Sequence, residues 1–158
     1  MKQMLILLLV MLCLTGCAAP DAPIEQEMYT FVYNGVAISP HTDATPVVEA
    51  LGEPKSYTEE ASCAFEGLDK TYYYGSFYLA TYPMDGKDYI YTIWFADDTV
   101  TTAEGIRIGS TQAQVEEAYG ADAFNGTNAF EMTKGNSRLT VLITDGVVSG
   151  VRYEGIPE

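Results

Sequence analysis

Apolar positions along the chain follow two rhythms. Val47, Ala50 and Leu51 recur at i, i+3 and i+4, as do Val115, Ala118 and Tyr119, and each set marks one face of a short helix. Asp43 and Thr111 stand where N-caps belong, and Gln114 is placed to reciprocate with Thr111. Pro46 falls in the first turn, where a missing N–H costs little. Gly52 and Gly120 follow the apolar faces as stops, and Pro54 prevents continuation. The other rhythm is that of strands. Runs rich in aromatic and β-branched residues predict strands over 61–66, 71–82, 88–96 and 99–103, then 129–133, 138–144 and 147–153. Asp145-Gly146 is a strong two-residue hairpin signal, Asp97-Asp98 a weaker one, and Asp85-Gly86 marks another turn.

The two halves of this pattern resemble each other. Val47, Glu49, Ala50 and Gly52 align with Val115, Glu117, Ala118 and Gly120 at an offset of 68. Further on, Ala64-Phe65-Glu66 matches Ala129-Phe130-Glu131, and the stretch from Phe95 to Val100 matches Ile143 to Val148. A short helix followed by a meander, twice, predicts an α+β fold: two tandem helix-plus-antiparallel-meander repeats over 29–104 and 105–158, with the helices on one face of the sheet.

The N-terminus reads as an address. After Met1-Lys2-Gln3, residues 4–14 form an unbroken apolar run. That is too short for a bilayer-spanning helix, which needs roughly 20 residues, and it suits a signal-peptide core. The run closes on Leu14-Thr15-Gly16-Cys17, which resembles a bacterial lipobox. Residues 1–16 are then a lipoprotein signal peptide, Cys17 carries the lipid, and 17–28, with Pro20 and Pro23, form a tether. The expected location is extracytoplasmic, lipid-anchored to a bacterial cell membrane.

Composition narrows the chemistry. With 8 Lys+Arg against 22 Asp+Glu, the formal charge of −14 excludes the electrostatic footprint of a nucleic-acid binder. If Cys17 is lipidated and Cys13 leaves with the signal, Cys63 is a lone thiol, and the single His41 lies in a loop rather than in a recognisable pair with it. The acidic residues lack Ca²⁺-loop spacing, and no catalytic, metal or cofactor constellation is expected.

The run I-x-x-G-x-T-x-x-x-V-x-x-x-x-G, from Ile106 to Gly120, resembles the repeat opening of beta-lactamase inhibitory protein and of the small outer-membrane-assembly lipoproteins of the SmpA/OmlA type. The hairpin from Thr144 to Gly150 resembles the inhibitor's final hairpin, and the stretch from Gly86 to Tyr91 is faintly similar to one of its target-binding loops. The likeness covers roughly residues 36–155 and implies a repeat fold. Having only Cys63 left, the chain has no counterpart to the inhibitor's disulfides.

The aromatic strands supply the candidate site. Pairing Phe95 with Ile143 puts Tyr91, Ile93 and Phe95 with Leu139, Val141 and Ile143 on the helix-facing side. Ile90, Thr92, Trp94, Thr140 and Leu142 then face the other way. An unbroken strand over 71–82 would place Tyr72, Tyr74, Tyr78 and Tyr82 together. An open sheet face bearing Trp94, Tyr78, Tyr74, Tyr72, Leu142 and Thr92 is the expected partner-binding surface, because Tyr and Trp bring contact area at low entropy cost. The expected function is a non-enzymatic protein-binding or scaffold lipoprotein. The alternative, implied by the resemblance, is an extracytoplasmic enzyme inhibitor or ligand sensor.

Overall fold

The computed structural model describes residues 27–157. The signal sequence, Cys17 and most of the tether lie outside the described residues. Nine strands and two short helices follow in chain order: β1 (Phe31–Tyr33), β2 (Val36–Ile38), α1 (Ala44–Leu51), β3 (Ser56–Ala61), β4 (Leu68–Tyr73), β5 (Phe77–Met84), β6 (Lys87–Phe95), α2 (Gln112–Tyr119), β7 (Ala129–Lys134), β8 (Ser137–Thr144) and β9 (Val147–Gly155). Strands β1 and β2 form a small hairpin, and the other seven form one antiparallel sheet in the order β3-β4-β5-β6-β9-β8-β7.

The helices form where the sequence places them. Asp43 accepts the Thr45 N–H at 3.0 Å, and the Gly52 N–H closes α1 on the Val48 carbonyl. Thr111 and Gln114 cap each other's backbone at the start of α2. Each helix, however, has only eight residues.

This overturns the expected α+β pair of repeats with helices on one sheet face: the protein is mostly β. Two turns of helix bury too little to seal a seven-stranded sheet. Beside Ala44 of α1 and Val115 of α2, the buried face is closed by the β1–β2 hairpin and by the connector between β6 and α2. Phe31 is 1% exposed and lies 5.0 Å from Phe77, 5.1 Å from Phe95 and 6.0 Å from Tyr153, ring centre to ring centre. The connector contributes Val100 and Ile106, both buried. It is not the strand expected over 99–103. Strand β6 already pairs with β5 on one side and β9 on the other, so its pairing positions are taken. Asp97 instead accepts the Thr99 N–H at 2.9 Å and turns the chain out of the sheet.

Two irregularities set which side chains share a face. The strand expected over 71–82 is broken. Gly75, at φ +98°, and Ser76 turn the chain, and the Tyr74 N–H bonds the Phe77 carbonyl at 3.0 Å. Farther along, the pairing of β5 with β6 slips between Ala80 and Thr81 and leaves Tyr91 as the extra residue of a bulge. The slip turns Ile90 into the core at 0% exposure and puts Tyr91 outside at 44%, the reverse of strict alternation. Ile93, Phe95, Leu139, Val141 and Ile143 share the buried face as expected. A matching slip leaves Ser149 as the extra residue of β9.

Candidate functional site

The face of the sheet away from the core carries the candidate site, and its layout follows from register. Tyr73 pairs with Tyr78, Tyr78 with Trp94, Trp94 with Arg152, and Arg152 with Thr140. These residues form one row crossing five strands. Their rings stack along it: Tyr73 on Tyr78 at 4.5 Å, and Tyr78 on Trp94 at 4.9 Å with the planes within 9°. Each ring therefore uses a face on its neighbour, and the row stands as a ridge.

The next row on the same face is made of small residues: Thr58, Thr71, Ala80 and Thr92, each opposite the next. It ends at Glu154, which holds Arg138 at 3.3 Å and Arg152 at 3.7 Å. Beyond the small row stands a second aromatic group. Tyr82 has Phe65 at 5.2 Å, Tyr89 at 5.9 Å and Tyr91 at 6.4 Å. His41 places Nδ1 3.2 Å from the Tyr82 hydroxyl. Between Trp94 of the ridge and this second group, Thr71, Ala80 and Thr92 floor a groove of about 1070 Å³, walled also by Glu60, Asp69, Met28 and Pro157. On the far side of Trp94 a smaller hollow of about 410 Å³ is lined by Leu142, Ser149, Gly150 and Arg152.

His41 is brought here by a backbone device. Past Thr92, β6 extends beyond the end of its pairing with β9. The His41 N–H bonds the Ile90 carbonyl at 2.7 Å, and the Ile90 N–H bonds the Thr42 carbonyl at 2.9 Å. Residues 41–43 thus continue the ladder where β9 stops. The His41 ring lies against Gly155, where a Cβ would come within 2.4 Å of Nε2.

The structure divides the residues expected at the binding face. Trp94, Tyr78, Leu142 and Thr92 line its two hollows or its ridge. Tyr72 and Tyr74 do not join them. Tyr72 lies opposite core Leu79, and Tyr74, 9% exposed, stacks on Phe77 at 5.2 Å. The turn at Gly75 puts Tyr73, not Tyr72 or Tyr74, beside Tyr78. The alternation of a single long run could not locate that break, although Gly75-Ser76 was its signal. Phe65, Tyr91 and His41 were missed because a loop tip, a bulge and a ladder extension place them.

The remaining chemistry is sparse. Cys63 is exposed and unbridged. Among the described residues, no three His, Cys, Asp or Glu side chains gather as they would around a metal, and no helix is long and apolar enough to cross a membrane. Compared with family models, curated proteins and solved structures, the chain matches none of them.

Proposed function

We propose that this is a lipid-anchored extracytoplasmic binding protein, non-enzymatic, that holds a protein partner on the outer face of its sheet. The observation that carries the reading is the pairing of a Tyr73–Tyr78–Trp94 ridge with a groove of about 1070 Å³. Protein interfaces draw their energy from a few aromatic anchors beside well-formed hollows, and Tyr and Trp are enriched among them. The opposite face is spent on the core. The lipobox-like Leu14-Thr15-Gly16-Cys17 supports the anchor.

The inhibitor reading, drawn from the resemblance above, would engage its target through residues 86–91 and has less support. There Asp88 is committed to Lys70 at 2.6 Å, and the Tyr89 ring stacks on Tyr82 at 5.9 Å. The test replaces Trp94 and Tyr78 by Ala in the membrane-anchored protein and follows copurification of a crosslinked partner from the envelope. The binding reading expects the partner to be lost while circular dichroism is unchanged. Retention of the partner, or its loss on changing Asp88 and Tyr89 alone, overturns it.

A further inference from the structure

One wall of the groove holds an electrostatic arrangement that the free protein leaves unbalanced. Glu60 on β3 and Asp69 on β4 stand directly opposite each other in the antiparallel pair, and both line the groove. Like charges so placed repel and weaken the pairing. Neither carboxylate has an ion-pair partner among the described residues. The Oδ1 of Asp69 is buried and without any hydrogen bond. Burying a carboxylate oxygen unpartnered is costly, and a donor supplied from outside would relieve it.

The rest of the groove adds independent signs. His41, which also lines the groove, has its Nε2 without a hydrogen-bond partner. The cations nearby are already engaged: Lys70 with Asp88, and Arg138 and Arg152 with Glu154. The banks of Phe65, Tyr82 and Tyr91 suit the aliphatic stem of a long basic side chain and, through their ring faces, its charge. The groove also reaches the upper end of the roughly 300–1,000 Å³ usual for small-molecule pockets, room for several residues. Beside it, β3 is the terminal strand of the sheet and offers an unpaired backbone edge.

We propose that the groove seats an extended, lysine- or arginine-bearing segment of the protein partner, with its cation held between Glu60 and Asp69. This deepens the binding reading above and rests on it. The chain's charge of −14 draws such a segment in over long range.

The protein carries its own reporter. Trp94 is the chain's single tryptophan, and it lines the groove. The full chain, in zwitterionic detergent, is titrated with acetyl-Lys-Ser-Lys-Ser-Lys-amide, with the same peptide bearing Glu for Lys, and with calcium chloride. Expected is a saturable shift of Trp94 emission with the Lys peptide alone, weakened about tenfold or more in Glu60→Gln/Asp69→Asn. That variant removes a like-charge pair, so it should be at least as stable as the parent by thermal unfolding. No saturable response to the Lys peptide, equal binding by the variant, or an equal response to Glu peptide or calcium alone overturns the proposal. Partner capture tells the two readings apart. A partner that needs Trp94 and Tyr78 but is held equally by the variant leaves the binding face standing and removes its cationic ligand. Loss of no partner on changing Trp94 and Tyr78 removes the face itself.

Discussion

Replacing Phe31 by Ala tests what closes the sheet. Phe31 sits in a three-residue strand that the sequence pattern does not mark, yet it is 1% exposed. Its ring meets Phe77 edge-on at 5.0 Å, Phe95 at 5.1 Å, Tyr153 at 6.0 Å and Tyr33 at 6.3 Å. Truncating a buried Phe to Ala costs roughly 3–5 kcal/mol, and the edge contact is part of that loss. The hairpin is short, with three residues in each strand, and can settle into the space, so the low end, about 3 kcal/mol, is the working figure. Against a total of roughly 5–15 kcal/mol, that is a large fraction, and it lowers Tm by about 10 °C. Val32, the neighbour facing out at 57% exposure, is the control, and Val32→Ala should cost less than about 0.5 kcal/mol. Urea unfolding followed by Trp94 fluorescence and by circular dichroism gives both values. A loss below about 1 kcal/mol at Phe31 would refute the reasoning, because the helices would then suffice as the cover.

Other substitutions probe single devices. Gly155→Ala drives a Cβ into the His41 ring, so it should destabilise by about 1–3 kcal/mol, and His41→Ala should recover most of the loss in a double-mutant cycle. Thr111→Ala removes one half of the α2 capping box and should cost about 1 kcal/mol in urea unfolding. Burial, with hydrogen bonding to Glu104, raises the pKa of Tyr119; burial, with the charge of Glu104, raises that of Tyr153. A phenol whose folded pKa is raised contributes stability that is fully present below the unfolded value near 10 and is lost as pH rises through the folded value. Thermal unfolding should therefore show Tm falling above about pH 10, less steeply in Tyr119→Phe; a flat profile, or one unchanged by that substitution, contradicts this.

What the sequence conveyed was local. Asp43, Gly52, Thr111, Gln114 and Gly120 act at helix ends through contacts within a few residues, and each does in the structure what its position implies. The Asp145-Gly146 hairpin is equally local, joining β8 to β9. What failed depends on distant partners. Whether a helix or a hairpin covers a sheet is decided by Phe31 meeting Phe77, Phe95 and Tyr153, and period alone carries no trace of that. Likewise, one residue of slip at Tyr91 exchanged the faces of Ile90 and Tyr91, and one turn at Gly75 exchanged Tyr73 for Tyr72 and Tyr74. Trp94, Tyr78, Thr92 and Leu142 share the outer face because β5, β6 beyond its bulge, and β8 keep simple alternation.

The most direct test of the binding face is photocrosslinking in cells from position 94. A photoreactive residue replaces Trp94 in the membrane-anchored protein, and a matched one replaces Val115, which is fully buried on the inner side of α2. The account predicts one discrete intermolecular product from position 94, identified by mass spectrometry, none from 115, and loss of that product in Tyr78→Ala. Crosslinks from 94 only within the chain, or the same products from both positions, would contradict it.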